Sequence, residues 1–225
     1  MEFGKAFTYV FEDKDWVTKL LIGGLLSLIP IVNLVVLGYT LRVLKNVADG
    51  SEQPLPSWDD FGSYFVKGLM VVLGSLVWLI PLIAISTAGT VVSAMAGGDA
   101  YASERMSGPL VCCMWSLSCV SGLYGLLMGV VLPAAMTLYA VRDEFAAFFR
   151  VGEIVYYVKE NLGNYVVALL LIIVASFAAG LGMILCFVGV IFTQFWANLV
   201  NSHLLGQVYR YRAQPEVEEP LLPIA

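Results

Sequence analysis

The sequence predicts an all-α protein, a polytopic transmembrane helical bundle of five to six membrane segments with amphipathic helices at the interface. Three observations carry this prediction. Of the 225 residues, 60% are hydrophobic and only 13% charged, about half the charge of a soluble domain. The runs 20–41, 68–98, 106–141 and 161–209 contain no Asp, Glu, Lys or Arg, and a spanning helix needs roughly 20 apolar residues. All 29 charges therefore sit in the remaining 87 residues. Such a chain is not an ordinary soluble enzyme, a nucleic-acid binder or a disordered protein.

Residues 1–12 place Phe3, Ala6, Phe7, Val10 and Phe11 on one helical face, the pattern of an interfacial helix. The start is mixed in charge, so no cleavable signal is expected and the first apolar run should stay as membrane helix. The first membrane segment, about 16–48, contains Gly23, Gly24, Pro30 and Asn33. Pro30 removes a backbone donor and disfavours helix at Ile29. Either one kinked span or two short helices meeting at Pro30 would satisfy the pattern. Residues 49–57 read as a polar linker. Trp58, Phe61 and Phe65 then predict an interfacial helix over 58–66, feeding a segment of about 68–96 that holds Pro81.

Gly97 to Pro109 is expected as a polar loop, and 110–140 as the next segment, bent or tilted at Pro133. Its Ser118, Gly122, Gly125 and Gly129 form a small-residue stripe suited to helix packing. Residues 143–160 predict an interfacial amphipathic helix. The last apolar run suffices for two crossings, about 163–185 and 189–209, broken near Cys186 to Gly189. Residues 213–225 read as a flexible acidic, Pro-containing tail within a single membrane domain of 1–212. The net charge of −5 argues against a polybasic lipid-binding patch.

Asp60 to Gly68 and Glu144 to Gly152 share a pattern: acid, Phe, two small residues, two aromatics, two others, Gly. An even number of spans between them would put both copies on one side, as a parallel repeat. Basic residues point to the same side. Arg42, Lys45, Lys67, Arg142, Arg150, Lys159, Arg210 and Arg212 share one face, which the positive-inside rule makes cytoplasmic. Lys5, Lys14 and Lys19 join them if 16–48 is a hairpin with short, re-entrant arms. That reading is favoured, with both termini inside and a multi-pass location in the cell membrane.

Gly23 to Pro30, then Gly38-Tyr39, then Leu55-Pro56-Ser57-Trp58-Asp59-Asp60-Phe61 resemble the prokaryotic domain-of-unknown-function 4013 family of integral membrane proteins. Gly189 to Gln207, with Phe195, Asn198, His203 and Leu204, is similar to that family's last helix. The resemblance covers roughly 5–210, and the Gly-Tyr to Leu-Pro-x-Trp stretch is its most specific part. It implies a helical bundle in a bacterial or archaeal cytoplasmic membrane, without an activity or catalytic residues.

Gln194, Asn198, Asn201 and Ser202 form a polar stripe on the last helix, with His203 and Gln207 nearby. Such a stripe hydrogen-bonds neighbouring helices or lines a solute or lipid path. Pro30 and Asn33 mark a helix break that serves structure or a binding site. Cys112, Cys113, Cys119 and Cys186 lie in apolar runs without a CxxC pair, so no metal and no cofactor is expected. No Ser-Lys, Ser-His or paired-carboxylate set lies within the apolar runs, and no P-loop is present. The expected function is a non-enzymatic membrane module that packs with lipid, a membrane-protein partner or further copies of itself. The alternative is a small transporter or channel for a neutral or apolar solute.

Overall fold

The computed structural model describes residues 2–95, 108–184 and 188–213. Its elements are α1 (Lys5–Glu12), α2 (Trp16–Ser27), α3 (Asn33–Ala48), α4 (Phe61–Met95), α5 (Gly108–Arg142), a 3-10 turn (Phe145–Phe149), α6 (Val151–Glu160), α7 (Leu162–Leu181), a second 3-10 turn (Gly182–Ile184) and α8 (Val188–Ala213). Among the described residues 86% are helical and no strand occurs. The helical bundle predicted from composition is the observed architecture. Most of the expected loop at Gly97 to Pro109, with Cys186 and the tail, lies outside the described residues.

Three described stretches are long and apolar enough to cross a membrane: Phe61–Val92, Cys112–Arg142 and Leu162–Leu181. α4 and α5 each have 35 residues and run without interruption through Pro81 and Pro133. At 1.5 Å per residue each is about 52 Å long, more than the roughly 30 Å of a hydrocarbon core. The sequence predicted a separate interfacial helix over 58–66. Instead residues 58–60 are non-helical and α4 begins at Phe61, because no helix breaker follows before Pro81 and a started helix propagates. The predicted single helix over 143–160 is also corrected. Asp143 takes φ 59, the Phe145–Phe149 turn is 3-10, and Arg150 leaves the helical region at φ −80, ψ 69 before α6 starts. Buried Phe148 anchors this turn against Tyr139, with ring centroids 5.2 Å apart.

The break at Pro30 is real: α2 stops at Ser27 and α3 starts at Asn33. The N–H of Asn33 donates to the Ile29 carbonyl at 2.8 Å, so the backbone itself closes the turn while the residue stays exposed. α2 and α3 fold back as a hairpin. Lys19 near the start of α2 reaches the Leu55 carbonyl, beyond the end of α3, at 3.1 Å. With 12 and 16 residues, the arms are about 18 and 24 Å long, as short as the sequence implied.

Contacts group the chain into two compact units, Met1–Val71 with Ala134–Ala225, and Val72–Pro133, within the stretch read from sequence as one domain. In the larger unit α8 packs most extensively against α7 and α3, and also against α2 and α1. Its core holds Tyr39, Phe148, Tyr157, Tyr165 and Phe195, all fully buried. Helix backbones approach closely at glycines. A Cβ on Gly38 would fall on the Tyr64 carbonyl, and one on Gly68 on the Leu34 carbonyl, so α3 and α4 cross through a reciprocal glycine pair. A Cβ on Gly206 would lie 2.7 Å from the Leu44 carbonyl oxygen.

The smaller unit comprises the remainder of α4 and α5. The Tyr124 hydroxyl donates to the Trp78 carbonyl at 2.6 Å. Thr87, Thr90, Ser116 and Ser118 donate to carbonyls of their own helices, which satisfies a hydroxyl in an apolar medium. Ile80, Trp115, Leu123 and Leu126 are 60–72% exposed, a lipid-like surface.

Candidate functional site

The most elaborately bonded part of the larger unit is built from the segment that the sequence presented as a polar linker. Leu55 and Trp58 are buried. Three successive carbonyls of this segment each accept a long-range hydrogen bond: Leu55 from Lys19 Nζ at 3.1 Å, Pro56 from the Tyr39 hydroxyl at 2.9 Å, and Ser57 from the Tyr64 hydroxyl at 2.9 Å. Trp58 Nε1 donates back to the Lys19 carbonyl at 3.3 Å. The Trp58 ring stacks on Tyr39, with centroids 4.0 Å apart and planes 11° apart, and Phe195 of α8 lies 6.2 Å away. Lys19 also pairs with Asp13 at 2.7 Å, and both side chains are mostly buried. One clamp thus ties α2, α3, α4 and α8. Its parts are the Gly-Tyr and Leu-Pro-x-Trp signatures: Gly38 admits the α4 backbone and Tyr39 supplies the stacking face. Sequence reasoning caught these residues as a signature and missed their burial, because Pro54, Pro56 and Ser57 read locally as linker.

Beside the clamp, α1 lies on α8. The sequence placed Phe3, Ala6, Phe7, Val10 and Phe11 on one apolar face of an interfacial helix. Ala6 and Val10 of that face are buried against the protein together with Tyr9, while Phe11 is 50% exposed. Tyr9 turns the helix because its hydroxyl donates to the Leu199 carbonyl at 2.9 Å and its ring stacks on His203 at 4.2 Å. Burial first, and Tyr39 second, push the Tyr9 phenol well above its ordinary pKa, so it stays a donor. Between α1, the segment after α3 and the last turns of α8 lies a cavity of about 500 Å³, lined by polar and charged groups that include Glu12, Glu52, His203, Gln207 and Arg210.

The predicted polar stripe is split. Gln194 is exposed and Asn198 half-buried. Ser202 is buried and donates to the Asn198 carbonyl at 2.9 Å, while Asn201 keeps a buried Oδ1 without a hydrogen-bond partner among the described residues. Neither Gln194 nor Asn198 lines the cavity, whereas their neighbours His203 and Gln207 do. Ser118, Gly122, Gly125 and Gly129 are exposed, and a Cβ on any of the three glycines would meet nothing within 4 Å. The close helix approaches of this chain use Gly23, Gly24, Gly38, Gly68 and Gly206 instead. Cys112, Cys113 and Cys119 are free and exposed. Among the described residues no group of His, Cys, Asp and Glu could hold a metal ion.

The two copies of the aromatic pattern stand on the same side, since Lys67 Nζ of the first pairs with Asp143 Oδ2, next to the second, at 2.9 Å. This is the arrangement expected of a parallel repeat. Arg142 pairs with Glu153, and Arg150 with Glu144 at 3.1 Å, around the second copy.

The profile of the DUF4013 family, described as a protein of unknown function, matches residues 22–188. That span includes α3, the Gly38-Tyr39 and Leu55 to Trp58 parts of the clamp and all three candidate spans, while Asp13, Lys19 and Phe195 of the clamp lie outside it. Comparison with curated proteins and with solved structures gave no match.

Proposed function

This chain belongs to the DUF4013 family, and on that premise we propose that it is a non-enzymatic integral membrane module that works by packing against lipid or a membrane-protein partner. One observation carries the reading. In the most apolar stretch of each candidate span, only 17%, 17% and 22% of residues are buried within the chain. The remaining faces need an apolar neighbour, and lipid or a partner helix supplies it. The open Ser118/Gly122/Gly125/Gly129 stripe offers a face on which another helix can approach closely. Exposed Phe61, Phe145, Phe149 and Tyr156 suit the headgroup region beside the ion pairs of the two aromatic copies.

In this reading the protein lies in the cytoplasmic membrane, with both termini and the aromatic copies inside. Purification in nanodiscs followed by native mass spectrometry should recover a partner, a retained lipid or a second copy; a bare monomer indifferent to lipid would overturn it. Orientation is tested with a membrane-impermeant thiol reagent after the four cysteines are changed to Ala. A cysteine at Ser103 should label in intact cells, and cysteines at Ser57, Ser63 and Thr8 should not. The reverse pattern would overturn the orientation.

A further inference from the structure

The polar cavity holds groups that the packing reading leaves unused, and its chemistry is uneven by element. α8 contributes mainly donors, with one acceptor, the buried Gln207 Oε1, that has no hydrogen-bond partner among the described residues. Gln207 Nε2 lies 3.0 Å from the Glu2 carbonyl and 3.2 Å from His203 Nδ1. An amide nitrogen only donates, so Nδ1 accepts and the ring proton sits on Nε2. That Nε2–H has no hydrogen-bond partner among the described residues, although His203 lines the cavity and is only 5% exposed. One turn further, the Arg210 guanidinium packs on Gly50, 3.2 Å from where a Cβ would stand, and pairs with no carboxylate among the described residues. Gly50 has φ 83 and no side chain, which leaves room for it.

The other elements contribute acceptors. Glu12 at the end of α1 and Glu52 after α3 line the same cavity without an ion-pair partner among the described residues. The other charges there are engaged, Asp13 with Lys19 at 2.7 Å and Glu2 with Lys5 at 3.9 Å. A simple anion would face the two open carboxylates. A simple cation would leave the Arg210 guanidinium and the His203 Nε2–H at the cavity wall unanswered. A ligand carrying both charges answers both sets, and the cavity of about 500 Å³ lies within the usual range for small-molecule sites.

We propose that this cavity binds a zwitterion that joins a primary ammonium to a phosphate or carboxylate. The ammonium faces Glu12 and Glu52, and the anionic oxygens face Arg210 and His203 Nε2–H. The same chemistry is found in a free phosphoethanolamine and in the headgroup of phosphatidylethanolamine. The proposal concerns a polar cavity and does not depend on how the apolar faces are covered.

The test uses the full chain in phosphatidylcholine nanodiscs, titrated calorimetrically with O-phosphoethanolamine. Saturable binding is expected, with inorganic phosphate alone and ethanolamine alone each at least about tenfold weaker. Arg210→Gln and Glu52→Gln should each weaken binding by about tenfold or more, because each removes one charged partner. Both residues are exposed, so the unfolding midpoint should stay in place. If the soluble probe does not bind, but phosphatidylethanolamine in place of phosphatidylcholine raises the unfolding temperature of the wild type and not of the double variant, the ligand is the lipid headgroup. Neither response in the wild type, undiminished binding in both variants, or phosphate binding as tightly as the zwitterion would overturn the proposal.

Discussion

The two copies of the aromatic pattern, Asp60 to Gly68 and Glu144 to Gly152, begin alike and end differently. In both, the Phe after the acid is exposed, Phe61 at 44% and Phe145 at 38%, and the aromatic three residues later is buried, Tyr64 at 6% and Phe148 at 0%. Three residues is close to one helical turn, so spacing alone would leave the two rings on neighbouring faces; what buries the second is its partner, Tyr39 beside Tyr64 and Tyr139 beside Phe148. The copies part at the glycine. Gly68 is pressed against the Leu34 carbonyl inside continuous α4, while Gly152 has nothing within 4 Å and sits in the first turn of α6, after a 3-10 turn. The same residue is required in one copy and incidental in the other. The difference lies in what crosses it, a neighbouring backbone in the first copy and open space in the second.

The sharpest way to break this comparison is at the rings. Phe148→Ala should cost about 3–5 kcal/mol, the range for a fully buried aromatic, while Phe145→Ala should change stability by less than about 0.5 kcal/mol. Unfolding in mixed micelles measures both, and equal losses would mean the inward/outward alternation is wrong. The glycines come next. Gly68→Ala should destabilise by roughly 1–3 kcal/mol, because backbone rather than a flexible side chain must move. Gly152→Ala should be neutral or stabilising by up to about 1 kcal/mol through helix propensity. The same unfolding assay decides, and a harmless Gly68→Ala would remove the α3–α4 crossing.

Tyr64→Phe keeps the ring and deletes the bond to the Ser57 carbonyl, for an expected loss of about 1 kcal/mol. Faster amide exchange at Leu55, Ser57 and Trp58 in that variant would confirm that the bond holds the clamp. The smallest effect belongs to the pair that joins the copies. Asp143 is half exposed, so Lys67→Ala should cost less than about 1 kcal/mol and the effect should shrink in high salt. A loss that is large and independent of salt would mean Lys67 does more than pair with Asp143.

A break near Pro30 was expected because proline has no N–H and restricts the residue before it, and the hairpin was favoured over one kinked span because it puts Lys5, Lys14 and Lys19 with the other basic residues. The same-side placement of the two copies was legible from the number of apolar runs between them, and the Lys67–Asp143 pair bears it out. The clamp was not legible as structure. Leu55, Pro56 and Ser57 carry the composition of a linker, and their three carbonyls find partners 36, 17 and 7 residues away. Nothing local marks a carbonyl as an acceptor for a distant tyrosine. The cavity was legible only in fragments. His203 and Gln207 drew attention as polar residues near a stripe, but Glu12, Glu52 and Arg210 looked like ordinary interfacial charges.

The sequence by itself determined the helical class, the apolar runs that become the long helices, the break at Pro30 and the membrane character of the chain. These follow from composition, hydropathy and residue-level stereochemistry, which act within one or two turns. The tertiary structure alone decided which glycines are crossing points, that α1 turns Tyr9 inward onto His203, and that a proline-rich segment is pinned in the core. Those outcomes depend on which distant backbone passes within hydrogen-bonding or van der Waals reach. That proximity is set by the packing of α3, α4 and α8 together, and no local pattern encodes it.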